Sequence, residues 1–154
     1  MINVLIIDND QEFVERFKKC LGQAGGQSYE VQATDRLAQG LKILARNDTD
    51  ILFLSLNLPD YPGIAAFDLA SAHEPAVPII ILNERLGNLD SIEAVGEGAQ
   101  DYLIKDEIEL KLLVRTIRHA LQRHELQNDL KKYLVELNEA ENKFKALLEK
   151  NVTS

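Results

Sequence analysis

Ile51-Leu52-Phe53-Leu54-Ser55-Leu56-Asn57-Leu58-Pro59-Asp60-Tyr61-Pro62-Gly63 contains one complete strand-and-loop unit of this chain. Residues 51–54 are apolar without alternation, the pattern of a strand buried on both faces. Residues 57–63 hold two prolines and a glycine and read as the loop that leaves it. Ser55 stands where strand passes into loop, the place at which α/β sheets carry their chemistry.

The same alternation repeats on either side. Residues 4–7 read as a first strand, 29–33 as a second, 78–82 as a fourth and 102–104 as a fifth. Between them apolar residues recur at helical spacing, as in Phe13, Val14, Phe17, Cys20 and Leu21, and again in Leu37, Leu41, Ile43 and Leu44. Residues 65–72 form a short third helix, and Asp90 with Glu93 forms a capping box that opens a fourth. Strands separated by helices require crossover connections, hence a parallel sheet covered on both faces. The pattern predicts an α/β, flavodoxin-like doubly wound sheet of five parallel strands, order 2-1-3-4-5, followed by an extended C-terminal helix. Its site lies at the carboxyl ends of the first and third strands, where Asp8-Asn9-Asp10 and Ser55 meet.

Composition narrows the function. Residues 1–106 carry 8 Lys/Arg against 17 Asp/Glu, a net charge of −9, whereas residues 107–154 carry 9 against 8. The acidic part repels phosphate backbones, so no direct nucleic-acid binding is expected. No apolar run reaches the ~20 residues of a membrane span, and the single Cys20 fits a reducing, cytoplasmic setting. The turn after the first strand lacks the glycine fingerprint of a dinucleotide site, and its acids would repel a flavin phosphate. Gly22, Gly25 and Gly26 follow a helix and read as its stop.

Four segments, taken in order, resemble the receiver domain of response regulators, over residues 1 to about 122. Leu5-Ile6-Ile7-Asp8-Asn9 matches that family's first strand and acidic turn, and residues 51–63 its phosphorylation-site segment. Pro78-Ile79-Ile80-Ile81-Leu82-Asn83 matches its fourth strand, and Gly98-Ala99-Gln100-Asp101-Tyr102-Leu103-Ile104-Lys105 its fifth. The resemblance implies a phosphorylation pocket at Asp8, Asn9, Ser55, Asn57, Asn83 and Lys105, with a switch aromatic at Tyr102. It also implies a role in two-component, phosphorelay-type signalling.

The pocket departs from the family's pattern. The acceptor aspartate is replaced by Ser55, the second acid of the turn by Asn9, the usual Thr or Ser by Asn83, and the proline after the lysine by Asp106. Magnesium wants anionic oxygens in near-octahedral geometry, and two negative charges are gone. Binding of Mg²⁺ is therefore expected to be weak or absent, with no other metal or cofactor. Ser55 would need a general base, and His73, His119 and His124 all fall away from the strand ends. The expectation is a non-enzymatic pseudo-receiver that mediates protein–protein interaction with other signalling proteins. The alternatives are a working phosphoacceptor with unusual acceptor or metal geometry, and a small-ligand sensor using the vacated crevice. Asp8 and Lys105 are expected to pair, Asp10 to cap the first helix, and Asp106 with Glu109 to cap the last.

From residue 107 onward there is neither proline nor glycine. Leu110, Leu113, Ile117, Ala120 and Leu121 form a stripe suited to packing on the sheet. Leu126, Leu130, Tyr133, Leu137, Ala140, Phe144 and Leu147 then follow 4-3-4-3-4-3 spacing, a heptad seam. A continuous helix of ~44 residues would be ~66 Å long, too long for a 120-residue globule to bury. The seam therefore predicts a parallel homodimeric coiled coil, in which Glu136 and Glu141 would oppose each other at g and e positions, or else an amphipathic linker that folds onto a neighbouring domain. Leu134 and Leu148 widen the stripe and leave a four-helix assembly open. Residues 137–151 resemble the helix that leads into PAS sensory domains. The domain expectation is residues 1–122 as receiver-like, and 123–154 as a coiled-coil linker to a further domain. Arg123-His124-Glu125-Leu126 resembles a histidine-kinase phosphoacceptor helix only in its first residues, since Gln127-Asn128-Asp129 follows.

Overall fold

The computed structural model describes residues 1–84 and 89–153, with side chains described for 1–84 and 93–151. Five strands, β1 (Ile2–Ile7), β2 (Tyr29–Thr34), β3 (Ile51–Ser55), β4 (Ile79–Asn83) and β5 (Asp101–Ile104), alternate with helices. The helices are α1 (Gln11–Gly22), α2 (Leu37–Leu44), α3 (Ile64–Ser71), α4 (Leu89–Gly96) and α5 (Leu110–Thr153). All strand pairs are parallel, in the order β2-β1-β3-β4-β5. This is the flavodoxin-like order that the crossover pattern predicts. The Asp90 side chain of the expected capping box lies outside the described residues.

Period-two alternation divides β1, β3 and β4 between two cores. Leu5, Ile7, Leu52, Leu54, Ile79 and Ile81 face a layer that includes Leu37, Leu44, Phe67 and Ala94 from α2, α3 and α4. Val4, Ile6, Ile51, Phe53, Ile80 and Leu82 face α1 and the first turns of α5, through Phe13, Phe17, Leu113 and Ile117. The ring of Phe17 meets that of Phe53 edge-on, 4.9 Å between centroids. Both faces of β3 and β4 are buried throughout, so these two strands have no polar position until Ser55 and Asn83 at their carboxyl ends.

Helix α2 approaches β1 so closely that position 40 must be glycine. A Cβ there would run into Ile7 Cδ1 and lie 2.8 Å from Ile7 Cγ1. Ile7 is itself fully buried and has nowhere to swing. Gly40→Ala is therefore expected to destabilise by about 1–3 kcal/mol through overpacking, more than the ~1 kcal/mol that alanine's helix propensity returns. Gly22→Ala is the control, since no atom lies within 4 Å of a Cβ added there. Urea midpoints should fall for the first variant and hold or rise for the second.

The start of α2 has no cap of its own, because Arg36 makes no side-chain capping bond. Asp60, from the loop after β3, supplies it: Leu37 N–H donates to Oδ1 and Ala38 N–H to Oδ2, each at 3.0 Å. Partial desolvation works against the Asp60 charge, but the N–H groups of Ala38 and Leu37 and the nearby Arg36 outweigh it and hold the carboxyl below its usual range. A depressed folded value means stability that is present above about pH 4 and lost as pH falls through that value. Asp60→Ala should cost about 0.5–2 kcal/mol near neutrality. Its gap from the parent should narrow in acid, as read by urea unfolding at both pH values.

One expectation fails at the start of the last helix. Asp106 was to cap it, but Lys105–Glu107 forms a 3₁₀ turn, Ile108 is extended at φ −77° and ψ 118°, and α5 begins at Leu110. The single extended residue breaks the helical run between the turn and α5. Asp10 does cap α1, accepting from Phe13 N–H at 3.1 Å.

Backbone contacts divide the chain into two compact units, Met1–Leu121 and the residues from Gln122 onward. In the second unit the described seam side chains are open, with Leu126 67% and Phe144 63% exposed, so the helix buries none of its apolar stripe within one chain.

Candidate functional site

Strand register brings the pocket residues together. Ile7 pairs with Leu54, so Asp8 and Ser55 follow side by side at the ends of β1 and β3. Ser55 is level with Leu82, so Asn83 comes next on β4. Asn83 pairs with Ile104, after which the chain reaches Lys105. Four polar side chains thus occupy the carboxyl ends of four adjacent strands, all of them buried: Asp8 0%, Ser55 2%, Asn83 4% and Lys105 5% exposed.

An internal ion pair dominates the electrostatics. Lys105 Nζ forms an ion pair with Asp8 Oδ2 at 2.6 Å, an oxygen that accepts no hydrogen bond, while Asp8 Oδ1 accepts from Asp10 N–H at 3.0 Å. The ammonium also lies 4.9 Å from the centre of the Phe13 ring, whose π face favours a cation, and 4.0 Å from the exposed Glu84 carboxylate. Asp8 is the one fully buried carboxylate among the described residues, and both its oxygens face the chain's own groups.

The remaining positions contribute no anionic oxygen. Ser55 Oγ accepts from Asn57 N–H at 3.2 Å, closing the turn after β3. Asn57 is exposed and bridges Pro62 across the loop, and Asn9 is exposed and neutral. Asn83 Nδ2 is buried without an acceptor. As a magnesium cradle this donor set fits poorly: the buried carboxylate is paired with Lys105, Asp10 caps α1, Glu84 is exposed, and the other positions offer a hydroxyl and amides. Among the described residues no three His, Cys, Asp or Glu side chains gather as a metal site. Tyr102 lies on β5, 36% exposed, between a buried and a surface position.

Sequence reasoning missed two contributors. Phe13 supports Lys105 from the first turn of α1, and Asp60 ties the loop after Ser55 to α2. Phe13 carried only the signal of a core position in its helix. Asp60 lies 23 residues from the amide it caps and carried no signal at all.

This fold and this pocket define a receiver domain, and the chain belongs to the response regulator receiver domain family, whose model matches residues 4–118. Among its relatives is the KDP operon transcriptional regulatory protein KdpE of Escherichia coli (strain K12), 35% identical over 124 residues, covering 78% of this chain and 53% of that protein. The cell cycle response regulator CtrA of Brucella ovis is 30% identical over 122 residues, covering 79% and 50%. This chain therefore spans about half the length of these two relatives. Among solved structures, a response regulator receiver domain protein from Clostridium thermocellum superposes with a TM-score of 0.71 at 27% identity, over 82% of this chain and 99% of that one. No helix of the described residues is long and apolar enough to cross a membrane.

Proposed function

We propose that this chain is a receiver domain that has lost phosphoacceptor chemistry and works as an interaction and dimerisation module in a two-component regulator. The observation that carries the reading is the Asp8–Lys105 pair. Lys105, a side chain of the protein itself, is held 2.6 Å from the pocket's buried carboxylate, and the acceptor position beside it offers a hydroxyl instead of a second carboxylate. A nucleophile at position 55 would have to be a serine hydroxyl, which needs a base to give up its proton. That hydroxyl instead accepts the Asn57 N–H and serves the turn.

With the pocket silent, function moves to surfaces. The seam from Leu126 to Leu147 is an apolar stripe without cover in one chain, and a second helix of matching spacing would bury it. Partners are a second copy through this helix and other signalling proteins or domains. The test is treatment with a small phosphodonor and Mg²⁺ followed by intact-mass measurement, in which the parent chain is expected to gain nothing.

A further inference from the structure

The polar positions beside the seam of α5 distinguish between the two ways of pairing it. In coiled-coil register Leu130, Leu137 and Phe144 take a positions and the intervening seam residues take d. The g positions are then Asp129, Glu136, Lys143 and Lys150, acidic in the first half and basic in the second. In a parallel pair each g position faces an e position of the other helix five residues on. Glu136 would meet the second copy's Glu141, twice by symmetry, and no g–e contact would join opposite charges.

In an antiparallel pair g faces g and e faces e. Set Leu137 level with the second copy's Ala140, and every a residue of the seam lies level with a d residue. In that register Glu136 meets Lys143 and Asp129 meets Lys150, each twice. The core agrees with the charges. Parallel packing stacks Ala140 on itself, one layer from Phe144 stacked on itself, a gap beside a bulge. Antiparallel packing sets Ala140 against Leu137 and Phe144 against Tyr133, which spreads the volume evenly.

We propose that the occupant of this seam is a second copy of the chain running antiparallel, held in register by the Glu136–Lys143 and Asp129–Lys150 pairs. This rests on the reading that the seam pairs with itself, and replaces the parallel arrangement first expected of it.

The test uses the full chain with Cys20→Ser, carrying either Leu130→Cys or Leu147→Cys. Mild oxidation of a mixture of the two should link residue 130 of one copy to 147 of the other. Leu130→Cys alone should stay unlinked, because its two copies would lie about 25 Å apart along the axis. A dimer in which Leu130→Cys links to itself, or in which the mixture stays unlinked, overturns the antiparallel register and leaves self-pairing standing. A chain that sediments as a monomer overturns both. Charge gives a second readout of opposite sign: Glu136→Lys should weaken an antiparallel dimer roughly tenfold, with Lys143→Glu restoring it. In a parallel dimer Glu136→Lys would face Glu141 and tighten it.

Discussion

Lys105→Met is expected to destabilise the globular unit by about 3–5 kcal/mol, because it leaves Asp8 charged, buried and without its cation. Asp8 is fully buried and Lys105 nearly so, so water cannot take the cation's place without opening the strand ends. The Phe13 ring, 4.9 Å away, would keep an apolar neighbour but lose its charge partner. In a domain of this size the melting temperature should fall by roughly 10–20 °C. The double variant Asp8→Asn, Lys105→Met removes both charges and should recover most of the loss, since replacing a buried pair by neutral groups is far milder than breaking it. Thermal unfolding of four chains, the parent, Lys105→Met, Asp8→Asn and the double variant, measures the coupling. If Lys105→Met melts with the parent, the pair does not hold the pocket in the manner described.

Leu137→Glu is expected to weaken self-association by about a hundredfold or more, since it asks an ionised group to enter an apolar seam. Leu137 is 57% exposed within one chain, so the substitution disturbs little that the single chain buries. Glutamate is also a good helix former, so the helix itself should survive. Sedimentation equilibrium reports the dissociation constant, and far-ultraviolet circular dichroism reports the helix. An unchanged dissociation constant would mean that the copies meet elsewhere.

Much of this fold was legible because it depends on patterns that run through the sequence. Residues 51–54 and 79–81 are apolar without alternation because both faces of the central strands are dry. That forces crossovers and, with them, the strand order. The pocket was legible for the same reason: a sheet with dry faces leaves polar residues only at strand ends, and Asp8, Ser55, Asn83 and Lys105 all sit there. What failed was local. Asp106 with Glu109 has the sequence of a capping box, yet the extended Ile108 breaks the helical run between the 3₁₀ turn and α5. What was invisible was nonlocal, since the cap of α2 comes from Asp60 across the fold and spacing does not encode it. The orientation of the seam lay between these cases. Its heptad spacing fits either direction, and the g-position charges together with the Ala140 and Phe144 layers are what distinguish the two.

The pocket pairs its buried carboxylate with its own lysine and holds a hydroxyl at the acceptor position. Intact-mass measurement of the parent chain after incubation with acetyl phosphate and Mg²⁺ tests this most directly. The predicted result is a single species at the unmodified mass, whatever the incubation time. A species heavier by about 80 Da, the mass of one phosphoryl group, would contradict it and return the chain to the phosphoaccepting receivers.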